Sequence, residues 1–272
     1  MNKNLSACIV TYNHSLEEIG AIVEMFHQYY EKVHLIISDN SSRDTGLAQL
    51  ADKYDFVDYT NAGGNIGFGA GHNRVLNRIE SEYHIIVNPD VAFDSVALDS
   101  LVSYMDNNPD VGVCSPAAVY TSGEEQVASR LIPAFLDLLI RRMGILQRVF
   151  DRRLKLHELK SQTGEPFECY FMHGFFLFFR TKVFKKIDGF DESFFMYFED
   201  LDILRRVARE EGYKSMFLPS VRIIHGYKRE STMSKKLLYH LIVSALRVIW
   251  KYGWIFDFER RKLNKKVLQQ FS

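Results

Sequence analysis

Apolar runs of strand length alternate with stretches of helical periodicity through residues 5–115, and no other feature restricts the fold as tightly. Residues 5–10, 33–37, 56–60, 83–87 and 111–114 read as strands. Residues 16–30, about 70–79 and 95–105 carry a helical period, with a short helix near Leu47. Such alternation dictates an α/β fold, a mostly parallel Rossmann-like sheet with right-handed crossovers and flanking helices. Ligands of such sheets gather at the carboxyl ends of the strands. Here those ends read Thr11-Tyr12-Asn13, Ser38-Asp39-Asn40-Ser41-Ser42, residues 61–73 and Asn88-Pro89-Asp90. All are polar, so the chemistry is expected there.

Beyond residue 115 the pattern loosens. Residues 130–166 mix Arg141, Arg142, Arg148, Arg152, Arg153 and Lys155 with apolar side chains and read as a helical surface segment. Residues 168–180 look like a strand, 199–211 like a strong helix, and 234–266 like a basic, aromatic-rich helical stretch. With 47% hydrophobic residues, 21 Phe and 14 Tyr, the chain can bury a sizeable core. Lys plus Arg equals Asp plus Glu at 34 each, so no global field selects nucleic acid. Cys8, Cys114 and Cys169 lack paired spacing, which fits a reducing compartment. The opening residues carry too short an apolar stretch for a signal peptide, and no run approaches the ~20 residues that span a bilayer. The expected location is the cytoplasm.

Five constellations carry chemistry. Asp39 follows a buried strand and can accept from a nucleobase or ribose; with Ser41 it can equally cap the next helix. Residues 61–73 hold five glycines in the nine residues 63–71 before a helix, which suits close approach to an anionic ligand or tight packing. The segment is neither a Walker loop nor a first-strand dinucleotide fingerprint. Asp90, at the end of a buried strand, wants a cation or donor partner, or else caps the following helix. Glu199, Asp200 and Asp202 stand at a helix start behind the aromatic run Phe194-Phe195-Met196-Tyr197. The helix dipole explains acids there, but not so many, and aromatic walls raise a carboxyl pKa toward that of a useful base. His225 ends another strand, followed by Lys228 and Arg229, which suit a diphosphate; its imidazole beside Asp90 would complete a metal site.

Taken in order, Val10-Thr11-Tyr12-Asn13, Asp39-Asn40-Ser41-Ser42, Asn65-Ile66-Gly67-Phe68-Gly69 with Asn73, Asn88-Pro89-Asp90, Gly189-Phe190-Asp191-Glu192, Glu199-Asp200-Leu201-Asp202, and His225 with Ser231 resemble the inverting family 2 glycosyltransferases of GT-A fold. The doubled Gly63-Gly64, the Asn-Pro-Asp form and the run from Phe195 to Asp202 look most like bacterial rhamnosyltransferases of O-antigen and polysaccharide assembly. The resemblance implies a catalytic domain over 1–232, with a nucleotide-binding half to about 115 and an acceptor-side half over 116–232, and a C-terminal segment over 233–272. It implies donor contacts from Thr11, Asn13, Asp39, Asn65, Gly67, Asn73, Asn88, Lys228 and Arg229. Asp90 and His225 would hold Mg²⁺ or Mn²⁺, Asp200 would be the base, and Glu199, Asp202 and His173 would lie on the acceptor side. The implied donor is dTDP-L-rhamnose and the acceptor a glycan or polyprenyl-diphosphate-linked sugar; related members use UDP-galactose, galactofuranose or glucose donors.

Two rivals read differently. A sugar nucleotidyltransferase would need an arginine-bearing glycine loop where Thr11-Tyr12-Asn13-His14-Ser15 stands, and a non-catalytic nucleotide-sugar-binding protein would not need Asp90, Asp200 and His225 intact. The C-terminal segment either packs on the domain with a solvated basic face or docks on the cytoplasmic face of the inner membrane.

Overall fold

The computed structural model describes residues 5–29, 33–134, 158–159, 164–226, 234–253 and 257–271. Chain order runs β1 (Leu5–Thr11), α1 (Leu16–His27), β2 (Val33–Asp39), α2 (Ala48–Lys53), β3 (Val57–Asn61), α3 (Phe68–Asn73), β4 (Tyr83–Val87), β5 (Val91–Ala92), α4 (Ser95–Asn107) and β6 (Val111–Val119). It continues through β7 (Ser129–Arg130), β8 (Glu158–Leu159), β9 (Phe167–Glu168), β10 (Phe176–Arg180), α5 (Thr181–Lys186), α6 (Glu199–Arg209), β11 (Lys214–His225), α7 (Lys235–Tyr252) and α8 (Phe258–Leu268).

The main sheet is ordered β3-β2-β1-β4-β10-β6-β11-β5, with β9 also on β11. Its first half is parallel, β1 pairing with β2 and β4, and β2 with β3. The second half is mixed, because β10 runs antiparallel between β4 and β6 while β11 runs parallel to β6. β10 thereby stitches both halves into one sheet. Strands buried on both faces read as unbroken apolar runs, as β4 does with all five residues buried.

Helices start where local chemistry dictates. Ser15 and Glu18 form a reciprocal capping box on α1, whose Ile19, Ile22, Val23 and Phe26 face the core at helical spacing. Asp94 caps α4, which buries Ala97, Leu98, Leu101 and Met105.

Four expected boundaries shift. The helix expected over 70–79 stops at Asn73, with a separate 3₁₀ turn at Leu76–Arg78. The strand expected over 168–180 breaks in two, since β9 pairs with β11 whereas β10 pairs with β4 and β6, and the chain must turn to change neighbours. The strand expected to end at 114 continues to Val119 beside β11. The C-terminal stretch divides at Gly253, φ 92°, into α7 and α8. Of residues 130–166, those at 135–157 and 160–163 lie outside the described residues, and with them all six basic side chains expected to mark a surface segment.

Arg205 anchors the C-terminal helices. Its guanidinium is 1% exposed, donates to both Asp257 oxygens at 2.7 Å and to Glu259, and lies 3.7 Å from the centre of the Tyr252 ring.

Candidate active site

A cleft of about 610 Å³ opens at the carboxyl ends of β1, β2 and β4. Of the expected donor residues, Thr11, Asn65, Gly67 and Asn88 line it, together with Asp90. Gly67 adopts φ 99°, and a Cβ there would lie 2.5 Å from the Phe195 carbonyl oxygen, so only glycine lets α3 start against that backbone. Gly71 serves packing instead, because a Cβ would meet Val10 at 2.8 Å. At both positions the glycine serves close packing of the protein on itself, and Gly67 in addition lines the cleft. Asn13 sits at φ 57° between the lining residues Tyr12 and His14, its amide donating to Ser41 Oγ.

Two expected donor contacts are engaged elsewhere. Asp39 is buried and accepts from Thr11 Oγ1 and the Ser41 amide on one oxygen, and from Thr45 and Tyr59 hydroxyls on the other. Burial alone would raise its pKa, but those hydrogen bonds outweigh it and hold the carboxyl below its usual value. Asp39 thus braces Thr11, which lines the cleft, and accepts two hydrogen bonds on each oxygen. Asn73 points away, its amide closing a reciprocal pair with the Phe190 backbone and donating to Glu192. Lys228, Arg229 and Ser231 lie outside the described residues.

Asp90 and His225 do meet. The short strand β5 pairs antiparallel with the end of β11, His225 opposite Val91, which places His225 Nε2 3.4 Å from Asp90 Oδ1. Phe175 stacks on the imidazole at 4.3 Å between ring centres. Gln126, 8% exposed, accepts from His225 Nδ1 through Oε1 at 2.9 Å and donates through Nε2 to the His225 carbonyl at 2.8 Å. That clamp keeps the proton on Nδ1 and turns Nε2 toward Asp90. A metal-binding histidine is held in the same manner, by a partner on its far nitrogen. The hard oxygen of Asp90 suits Mg²⁺ or Mn²⁺, and the imidazole nitrogen beside it favours Mn²⁺ of the two. Among the described residues no cluster of three or more His, Cys, Asp or Glu could hold an ion by itself.

Asp200 and Glu199 of α6 do not line the cleft themselves, and Asp200 is tied to the Asp90–His225 pair through residues 173–175. Tyr197 and Phe198 both take positive φ, 72° and 67°, immediately before the helix; such strain persists only where packing enforces it, and it clusters at functional sites. It brings Asp200 into the helix N-terminus, where Oδ1 accepts from the Leu201 amide at 2.8 Å and Oδ2 from the Gly174 amide at 3.3 Å. His173 Nδ1 lies 4.0 Å from Asp200 Oδ2, and the Asp200 side chain is 15% exposed. Burial raises the pKa of Asp200, and burial followed by the Asp200 charge raises that of Glu199, whose Oε2 is buried with no hydrogen-bond partner among the described residues. One tripeptide joins both centres. His173 and Gly174 touch Asp200, while Phe175 accepts from the Asn88 amide at 2.9 Å and stacks on His225.

Asp202, expected on the acceptor side, faces the other way. It is fully buried and binds Tyr252 Oη at 2.6 Å, Lys251 at 2.6 Å and Arg206 at 2.8 Å, so its charge fastens α7 to α6. Tyr12, His14, Phe68 and Met196 also line the cleft, although the sequence assigns none of them a role of its own there. Tyr12 belongs to a flagged strand end and His14 follows it, whereas Gln126 carries no sequence signal at all, its partner lying 99 positions away.

Comparison with known proteins bears on the family and the fold. A model of "Glycosyl transferase family 2" matches residues 6–188. The N-acetylglucosaminyl-diphospho-decaprenol L-rhamnosyltransferase of Mycobacterium tuberculosis is 26% identical over 213 residues, spanning 74% of this chain and 68% of that protein. Rhamnosyltransferase WbbL of Escherichia coli K12 is 23% identical over 245 residues, spanning 86% and 88%. Among solved structures, GalNAc-T7 with UDP, GalNAc and Mn²⁺ superimposes with a TM-score of 0.65 at 15% identity; the match takes in 91% of this chain, which spans about half of that one (48%). The chain adopts the GT-A glycosyltransferase fold and belongs to glycosyl transferase family 2.

Proposed function

We propose that the protein is an inverting transferase that moves L-rhamnose from dTDP-L-rhamnose to a glycan or polyprenyl-diphosphate-linked acceptor. The observation that carries the reading is Asp200, a desolvated carboxylate of raised pKa held by the Gly174 amide, next to Phe175, which contacts both Asn88 and His225. A base in that place takes the proton of the acceptor hydroxyl as its oxygen attacks the anomeric carbon. The bond from that carbon to the diphosphate oxygen breaks, and dTDP leaves from the opposite face with inversion. His173, with Nδ1 4.0 Å from Asp200 Oδ2, would face the acceptor, and burial of the carboxyl sustains the raised pKa. Asp90 and His225 Nε2 would hold Mg²⁺ or Mn²⁺, whose charge neutralises a departing diphosphate.

Two relatives named as rhamnosyltransferases support the sugar, and the diphospho-decaprenol in one name supports a lipid-linked acceptor. UDP in the GalNAc-T7 structure favours a UDP-sugar as the second reading. The test presents purified protein with dTDP-L-rhamnose, UDP-galactose and UDP-glucose, a polyprenyl-diphosphate-linked N-acetylglucosamine and Mn²⁺. Rhamnose transfer that Asp200→Asn lowers by roughly 10²–10⁴-fold supports the proposal. Transfer from UDP-sugars alone discards rhamnose, and a fully active Asp200→Asn discards the assigned base.

A further inference from the structure

The helix α7 presents two unlike faces. Ser244, Val248 and Tyr252 are buried at four-residue spacing, and Ser244 Oγ donates to the Met196 carbonyl at 2.8 Å. His240 stacks on Phe195 at 4.1 Å, and Lys251 binds Asp191 and Asp202 at 2.6 Å each. At 3.6 residues per turn, Tyr239, Ile242, Leu246 and Trp250 form one stripe on the opposite side. They are 63%, 50%, 59% and 89% exposed. Four large apolar side chains in line on a single helix face exceed the scattered exposed residues normal to a surface.

The charges say what covers the stripe. The helix contains no Asp or Glu, while Lys235, Lys236 and Arg247 lie on or beside the exposed face. A second copy of the chain would set these cations against one another with no acid on the helix to answer them. An anionic lipid surface complements them, and the apolar stripe enters the headgroup boundary, with Trp250 and Tyr239 placed as aromatics commonly are at membrane interfaces. The helix is not long and apolar enough to cross a membrane.

We infer that the Tyr239, Ile242, Leu246 and Trp250 face of α7 docks the enzyme on an anionic bilayer. The same helix grips Met196, which lines the donor cleft, and Phe195, two and three residues before the strained Phe198 that opens α6. Docking therefore holds the start of α6, with Asp200, beside the surface on which a diphosphate-linked lipid displays its sugar. The inference rests on the lipid-linked acceptor proposed above for its purpose, though not for the binding itself.

The test uses the full chain with vesicles of mixed phosphatidylcholine and phosphatidylglycerol. In a Trp254→Phe background, Trp250 is the sole indole, and its emission shifts to the blue on adding the mixed vesicles. Phosphatidylcholine alone produces little shift, and high salt weakens the response. Leu246→Asn with Trp250→Ser lowers co-sedimentation roughly tenfold or more without moving Tm, because both side chains face solvent. Equal sedimentation of this variant and the wild type, no blue shift, or self-association that Leu246→Asn abolishes would overturn the inference. Vesicle binding without glycosylation of any lipid-linked acceptor leaves the docking face standing and removes the acceptor reading. Glycosylation of such an acceptor without vesicle binding does the reverse.

Discussion

The Gln126 clamp yields the sharpest prediction. Gln126→Leu keeps the side-chain volume but deletes two hydrogen bonds, leaving the His225 Nδ1–H and carbonyl without their amide partner in a buried setting. Each unsatisfied group costs about 1–3 kcal/mol, and since both belong to one residue a combined loss of about 2–4 kcal/mol is expected. For a chain of this size that lowers Tm by roughly 4–16 °C. The functional consequence is separable. With the far nitrogen released, the ring loses its fixed tautomer and orientation, and Mn²⁺ affinity should fall about 10–100-fold, the usual penalty for removing a partner behind a ligating histidine. Gln126→Glu retains an acceptor for Nδ1–H while losing the donor to the carbonyl. It should therefore recover most of the Mn²⁺ affinity without recovering all of the stability. Mn²⁺ titration followed by electron paramagnetic resonance, with dTDP present, reads the affinity; thermal melts read the stability. A Gln126→Leu protein that melts early yet binds Mn²⁺ as tightly as the wild type would refute the clamp, because the ring would then be set by Phe175 and the strand register alone.

Two further outcomes follow from the α6 acids and the C-terminal anchor. Burial raises Asp200, and burial with the Asp200 charge raises Glu199, so the native state binds more protons than the unfolded chain, and stability falls as pH climbs from about 4 through the raised values. Asp200→Asn should thus melt higher than wild type at pH 8 and alike at pH 4, and equal melting at pH 8 would rule out a buried Asp200 charge as the cause. Arg205→Ala leaves Asp257 without its ion-pair partner, leaves Glu259 with Arg209 alone and loses the Tyr252 contact. The cost should be about 3–5 kcal/mol, a Tm fall of roughly 6–20 °C, and a shift below a few degrees would show that the C-terminal helices are held by apolar packing instead.

The sequence made some parts of this molecule legible and left others hidden for an identifiable reason. The strands that end at Thr11, Asp39 and Val87, the Ser15 cap and the polar strand ends could be read because periodicity and capping are free energies between near neighbours. The pairing of Asp90 with His225 was expected from residue type, and β5 on β11 provides it. Asp39, Asn73 and Asp202 show the limit of such reading. Each is a polar residue whose type announces that it needs partners, but its partners are Tyr59 and Thr45, Phe190, and Tyr252 with Lys251. For Asn73 and Asp202 these come from chain positions that only folding brings near. The break of the expected 168–180 strand is the same effect on the backbone, since exchange of sheet neighbours creates the His173-Gly174-Phe175 turn that links Asp200 to Asn88 and His225. Sequence alone therefore determined the alternation of elements, the family's run of motifs and which side chains could do chemistry. Tertiary structure decided which of them lie together, because burial and long-range hydrogen bonds choose among chemically equivalent carboxylates by where the chain places their partners.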